Sequence, residues 1–373
     1  MSRIASALIA RLRSVARHLP EFAKRSLRRR FGAAHEPASA EDERNVAYAA
    51  RMAQETSIFA GQEEVHDLPP IFHYWSNRYL RPKLETFGFS NPDEFFATFL
   101  QRTHADMHTG SSPVRFASLG CGNCDTEVRV ACELIRRGIE DFSIDCIDIN
   151  ETMLQRGRAL ADAAGVSAQI HPVSGDFNAW RPAGRYAAIM ANQSLHHVAE
   201  LEALFASIEQ ALEPRGRFIV SDMIGRNGHM RWPEALAIVH AFWSELPATY
   251  RYNVQLRRQE ETFLDWDCSV EGFEGIRAQD ILPLLIERFG FELFLPYANL
   301  VDPFIDRSFG PHFDANSEWD RAFIDRVHAR DEAEIAAGTI TPTHMMAVMR
   351  PRTYVVETSV LGSLTPRRCA RAT

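Results

Sequence analysis

Phe116-Ala-Ser-Leu-Gly120-Cys121-Gly122-Asn123-Cys124-Asp125-Thr-Glu-Val128 is the stretch that decides how this chain folds. An apolar run stops at two closely spaced glycines, and the residues after them take helical spacing. That is the pattern of a buried strand, a tight turn and a helix. At Gly120 and Gly122 the backbone carries no Cβ, so it can come close to a ligand toward which the next helix points its free amides.

Around this turn the chain alternates strand and helix, which forces a parallel sheet with helical crossovers. The pattern predicts strands at 114–119, 142–148, 168–173, 186–192, 217–223, 290–297 and 343–349, with helices at 125–137, 151–164, 199–213 and 277–289 between them. Two long segments, 224–276 and 298–340, interrupt that order. Segments of such length in a compact domain carry structure and function, so both are read as helical additions forming a cap. Residues 41–110 also read as helical, ending in the aromatic run Pro69 to Tyr79, which suits either a core or a lid over a substrate.

Three further signals fall at the ends of predicted strands, where an α/β sheet holds its ligands. Asp148 closes the second strand, Phe142-Ser-Ile-Asp-Cys-Ile-Asp148-Ile149-Asn150, and its carboxylate there can accept both hydroxyls of a ribose. A competing role for Asp148 is to cap the following helix. Gly175-Asp176-Phe177 follows the third strand, an acid and a ring that can hold and cover an adenine. The fourth strand ends in Asn192-Gln-Ser-Leu-His196-His197-Val198, which places two histidines at the same crevice. A glycine turn with an acid after the second strand serves a nicotinamide dinucleotide and S-adenosylmethionine equally well, so these residues alone leave both open.

Taken in order, Ser-Leu-Gly-Cys-Gly122, Asp148-Ile-Asn-Glu-Thr-Met-Leu154, Gly-Asp176-Phe177 and Ser-Leu-His196-His197 resemble a class I S-adenosylmethionine-dependent methyltransferase over about residues 112–224. The resemblance implies a Rossmann-like α/β fold: a seven-stranded, mostly parallel sheet whose last strand, Thr343 to Met349, runs antiparallel. It implies that Gly120, Cys121 and Gly122 line the methionine part of the cofactor, Asp148 and Ile149 the ribose and adenine, and Asp176 and Phe177 the adenine edge, with Asn192 beside them. That family often has an acid where Ser118 stands and a glycine where Cys124 stands. Glu127 or Asp125 on the next helix is the available substitute for the acid, although Asp125 also suits the N-cap of helix 125–137. The stretch Met223 to Pro233, with Ile276 to Leu285, loosely resembles methyltransferases of bacterial cell-surface glycans and makes a sugar hydroxyl the first guess for the acceptor.

A hydroxyl acceptor must lose a proton, and a histidine titrates in the right range for that task. His196 and His197 are therefore the candidate bases, and because adjacent residues usually point apart, one at most is expected to reach the substrate. His73, Tyr74, Arg231, Trp232 and Glu260 are further candidates, each more easily explained as structural. Cys121-Gly-Asn-Cys124 is a C-x-x-C at a helix start, which also fits thiol redox chemistry. Against a redox domain stand Gly120, Asp148 and the chain length. No metal is expected from that pair, since no second C-x-x-C exists to complete a ligand set. An NAD(P)-dependent oxidoreductase and a catalytically silent cofactor-binding scaffold are the rival functions that the same residues allow.

Charge divides the chain. Residues 1–30 hold nine Lys/Arg and one acid, a net of +8, leaving −16 on the rest of a chain whose total is −8. An acidic body repels polyanions, so a nucleic-acid partner is disfavoured. Within the arm, Ile4, Leu8, Leu12, Val15, Leu19 and Phe22 form one stripe on a helix that Pro20 divides, with arginines elsewhere; this pattern suits peripheral contact with a membrane surface, a mobile arm or a targeting segment. The expected organisation is a basic amphipathic arm and linker at 1–40, a helical lid at 41–110, the catalytic domain at 111–350 and a basic tail at 351–373. Six cysteines in mostly apolar runs suit a reducing, cytoplasmic setting.

Overall fold

A computed structural model describes residues 47–54, 56–57, 68–110, 112–270 and 272–371. The expected amphipathic arm lies outside these residues. The chain divides into two compact units, residues 1–50 and 51–373. In the first, residues 47–50 are helical. The second holds the sheet, and no helix among the described residues is long and apolar enough to cross a membrane.

Among the described residues, ten strands form in chain order: β1 (Val114–Leu119), β2 (Phe142–Asp148), β3 (Ile170–Ser174), β4 (Tyr186–Asn192), β5 (Leu212–Met223), a small hairpin β6 (Tyr252–Asn253) and β7 (Arg258–Gln259), then β8 (Phe289–Tyr297), β9 (His344–Pro351) and β10 (Ser359–Val360). Eight of them make one sheet in the order β10-β8-β9-β5-β4-β1-β2-β3. The pairs β1 with β2, β1 with β4, β2 with β3 and β4 with β5 are parallel, while β9 runs antiparallel between β5 and β8. The expectation of seven strands is corrected by β10, a two-residue strand pairing parallel with β8. It comes from the region expected to be only a basic tail, and nearby Cys369 is buried in the core. A pair that short carries no period-2 signal to read.

Among the described residues, seven helices of more than ten residues accompany the strands: α1 (Pro92–Met107), α2 (Asp125–Arg136), α3 (Glu151–Ala164), α4 (Leu201–Ala211), α5 (Pro233–Glu245), α6 (Ala278–Arg288) and α7 (Glu318–Ala337). Alternation along the strands assigns each side chain to a layer, because successive residues face opposite sides of a sheet. Phe116, Ile144, Cys146, Ala188, Met190 and Ile219 share one core with Phe95, Phe96 and Phe99 of α1 and Val128, Ala131 and Leu134 of α2. Their neighbours Ala117, Leu119, Ile147, Ile189, Ala191, Phe218 and Val220 share the other with Leu204, Phe205 and Ile208 of α4 and Ile281 and Leu285 of α6. Thus α1, within the segment read as a lid, is one of the helices that cover the sheet.

A third core lies apart from these two. Ile71 and Trp75 of the aromatic run pack with Val239 and Trp243 of α5, Phe304, Phe309, and Phe323 and Val327 of α7. This cap is built from both long insertions. The first was read as a helical addition, and it does supply α5, but after that helix it turns into the β6–β7 hairpin and 3₁₀ turns. Pro247, Gly272 and Gly275 punctuate that stretch and prevent a continuous helix.

Candidate active site

β1 ends against a turn that only glycine accommodates. Gly120 has φ +70°, and a Cβ there would sit 2.5 Å from the Cβ of Ser194 and 3.4 Å from Cε1 of Phe177. Gly122 has φ +54°, with Cε of Met153 3.1 Å from the place its Cβ would take. The αL region costs an L-residue side chain about 1–2 kcal/mol, so both positions combine backbone and steric reasons for glycine. Cys124 occupies the N-cap of α2 in the same left-handed region, φ +58°, with no side-chain cap. The expected capping role of Asp125 is therefore corrected: it is the first helical residue and lines the cavity described below.

Asp148 is buried at the end of β2, with Oδ2 accepting from the Gly122 amide at 2.8 Å and Oδ1 from the Asn150 amide at 2.8 Å. Capping α3 falls instead to Asn150, whose Oδ1 accepts from Thr152 and Met153 amides. Asp148 is thus free of the capping role and locks the glycine turn to its own strand. Burial raises its pKa, opposed by the two amide hydrogen bonds. At the end of β3, Asp176 accepts from the Asn178 amide at 2.9 Å, and Phe177 is buried beside the glycine turn.

The acid absent from Ser118 is supplied from α2. Ser118 Oγ donates to Glu127 Oε1 at 2.6 Å, both side chains are buried, and Glu127 Oε2 is left without a partner. Burial drives the Glu127 pKa up to about 8, against the opposing Ser118 hydrogen bond. On the next strand, Asn192 Nδ2 donates to Thr126 Oγ1 at 3.1 Å, tying β4 to the start of α2. The Cys121 and Cys124 thiols lie 3.6 Å apart as free cysteines.

The histidine pair is organised by two acids. Asp222, at the end of β5 and fully buried, accepts from the Ser194, Leu195 and Met223 amides at 2.9, 2.7 and 2.7 Å, and its Oδ1 lies 2.7 Å from His196 Nδ1. His196 Nε2 is 3.5 Å from Glu274 Oε1, and His197 Nε2 is 3.6 Å from Glu274 Oε2. The expectation that the two rings diverge is corrected. In the 3₁₀ turn Leu195–His197 they sit 4.3 Å apart, and the two oxygens of one carboxylate meet both. His229 joins them, its Nε2 2.6 Å from Glu274 Oε1. Although burial disfavours a charged His196, the Asp222 and Glu274 carboxylates raise its pKa to about 10. Burial likewise opposes ionisation of Glu274, but the surrounding histidines hold it well below the usual carboxylate range.

One cavity of about 730 Å³ connects these groups. Gly120, Cys121, Gly122, Asp148, Ile149, Asp176, Phe177, Asn192, His196 and His197 all line it, as do Glu127 and Glu274. Of the secondary candidates, His73 lines it too. The other four do not. The Tyr74 hydroxyl donates to Asp325 at 2.8 Å, Arg231 bonds Asp302 at 3.0 Å, Glu260 accepts from Arg258 at 2.9 Å and from the Leu264 amide at 3.1 Å, and Trp232 stacks under Arg371 at 4.3 Å. Sequence reasoning missed Asp222, Glu274 and His229. Asp222 was recoverable, since it ends a strand as Asp148 does. Glu274 and His229 sit in irregular backbone with no periodicity to place them.

Residues 117–216 match the family model described as a methyltransferase domain. No curated protein matches the sequence. Among solved structures, a geranyl diphosphate C-methyltransferase from Streptomyces coelicolor A3(2) is similar at 12% identity, covering 81% of this chain and 98% of its own, with a TM-score of 0.41. A sarcosine dimethylglycine methyltransferase from Galdieria sulphuraria gives 16% identity, 75% and 96% coverage and a TM-score of 0.40. The O-methyltransferase of a trans-AT polyketide synthase from Brevibacillus brevis gives 11%, 79% and 86%, and 0.40. With the glycine turn, the strand-end acids and the antiparallel β9 in place, residues 117–216 match a methyltransferase domain set within a Rossmann-like, mostly parallel α/β sheet.

Proposed function

We propose that the chain transfers a methyl group from S-adenosylmethionine to a hydroxyl of a small molecule, with a sugar as the first candidate. The observation that carries this is the continuity of the cavity: the glycine turn and Asp148 at one side and the two histidines at the other open into the same space. Its size suits a nucleoside-sized ligand with a small partner, within the roughly 300–1,000 Å³ of ordinary ligand sites. The groups present fit the cofactor. Gly120 leaves room that a Cβ would fill, Asp148 keeps lone pairs for a diol, and Phe177 offers a ring face to a base. Glu127, through its unpartnered oxygen, offers an acceptor to the amino group of the methionine portion.

When bound, S-adenosylmethionine supplies an electrophilic methyl carbon that an acceptor oxygen takes as the carbon–sulfur bond breaks. The protein's part is to align that oxygen and receive its proton. His196 is engaged on both nitrogens, by Asp222 and toward Glu274, so it orients and donates. His197, on the far oxygen of Glu274, takes the proton.

Calorimetry with S-adenosylhomocysteine, followed by mass spectrometry of a sugar, phenol and carboxylate panel incubated with S-adenosylmethionine, tests the reading. Binding with a mass gain on a hydroxyl acceptor supports it. No heat with S-adenosylhomocysteine refutes it.

A further inference from the structure

The acceptor side of the cavity carries more donor atoms than proton transfer requires. Among the described residues, His196, His229 and Glu274 each offer one ligand atom, all within 4.8 Å of one another. They come from three separate parts of the chain, and the backbone holds them together. The Gly228 amide donates to the Gly275 carbonyl at 2.9 Å, which ties the His229 turn to the Glu274 segment. His229 itself sits at φ +55°, a left-handed conformation that a non-glycine residue keeps only where its surroundings enforce it.

We propose that His196, His229 and Glu274 form a site for one divalent transition-metal ion of the zinc class. The inference deepens the methyl-transfer reading and rests on it for the ion's role. Three observations carry it. Two imidazoles and a carboxylate are the donor set such ions prefer, whereas magnesium and calcium take oxygen alone. The spacing fits: bonds of about 2.0–2.1 Å place neighbouring ligand atoms roughly 3.3 Å apart, and His196 Nε2 is 3.5 Å from Glu274 Oε1. The His229–Glu274 contact at 2.6 Å is a hydrogen bond that opens by less than 1 Å as the ion replaces its proton. Finally, His196 already has the outer partner of a metal-bound histidine. Asp222 accepts from its Nδ1 at 2.7 Å, fixing Nε2 as the ligand nitrogen.

Three protein ligands leave a coordination position facing the cavity, the arrangement of a catalytic rather than a structural zinc site. An acceptor hydroxyl bound there loses its proton more readily, because the ion stabilises the alkoxide. The proton passes to His197, the oxygen forms its bond to the methyl carbon, and the carbon–sulfur pair stays on sulfur. No electron is gained or lost overall.

The test uses the full chain, stripped with a chelator and titrated with Co²⁺ while its visible absorption is followed. A second cluster, His104, His108 and Asp141, lies nearer the surface, so the titration is run in a His108→Gln background. A ligand-field band saturating at one equivalent, lost in Glu274→Gln and His229→Gln and weakened roughly 10–100-fold in Asp222→Asn, supports the site. Absence of that band, or its persistence in both ligand variants, overturns it. S-adenosylhomocysteine calorimetry on the same proteins separates the two ideas: retained heat shows a folded cofactor site whichever way cobalt falls. Absence of heat from the parent protein defeats the methyl-transfer reading instead.

Discussion

Replacing Gly120 with alanine puts the cofactor turn under a load that the structure allows to be calculated. The new Cβ would lie 2.5 Å from Ser194 Cβ and 3.2 Å from its Oγ. Ser194 has little freedom to retreat, because its Oγ donates to the Leu119 carbonyl at 2.7 Å and its amide donates to Asp222 at 2.9 Å. Two costs therefore add. A non-glycine residue at φ +70° loses about 1–2 kcal/mol, and forced overlap in a packed site about 1–3 kcal/mol. Stability should fall by roughly 2–5 kcal/mol in urea unfolding at unchanged m-value, and S-adenosylhomocysteine affinity should drop with it. Removing the obstacle in Gly120→Ala/Ser194→Gly should return the steric part but not the backbone part, giving a coupling of about 1–3 kcal/mol in a double-mutant cycle. A Gly120→Ala loss below about 0.5 kcal/mol, or no coupling to Ser194, would refute the account of the turn.

Other perturbations reach the remaining parts of the site. Asp148→Asn can accept from only one of the Gly122 and Asn150 amides and sets a donor against the other, so stability should fall about 1–3 kcal/mol and S-adenosylhomocysteine affinity at least about tenfold. Unchanged affinity by calorimetry would remove Asp148 from cofactor recognition. Glu127 carries a pH signature: its pKa, ordinarily near 4.5, is raised to about 8 in the fold. The folded chain then binds more protons than the unfolded one between those values, so stability declines as pH rises from about 4.5 to 8. Glu127→Gln should abolish that part of the slope, and urea unfolding across this range that shows parallel profiles for both proteins would contradict the assignment. His197→Gln should lower turnover by roughly 10²–10⁴ while leaving S-adenosylhomocysteine affinity nearly unchanged; normal turnover would show that another group receives the proton.

Much of the sheet was legible because alternation and apolar runs mark strands buried on both faces. β1, β2 and β4 fall at their expected bounds, and Gly120, Asp148 and Phe177 meet in the expected crevice. What escaped has identifiable causes. β10 pairs through two residues, too few for any pattern, and α1 joins the sheet's core although residues 41–110 as a whole read as a helical lid. Glu274 was invisible because its position depends on a Gly228–Gly275 backbone contact between glycine-punctuated turns, not on a helix or strand face. For Ser118 the sequence left two substitute acids, Glu127 and Asp125, and the fold brings Glu127 to it.

Residues 298–343 leave the sheet from Tyr297 and return at His344, two residues paired directly across β8 and β9, with rings stacked at 5.4 Å. The Thr343 amide donates to the Ala298 carbonyl at 2.8 Å and tightens this neck further. Half of the cap is therefore an excursion with coincident endpoints. Its length can change without disturbing strand register, since the entropy of closing such a loop grows only slowly with length. The scaffold thus treats two regions differently: the glycine turn and the strand-end acids are fixed in the sheet itself, while residues 298–343 join the sheet at one neck and rest on the aromatic run and α5.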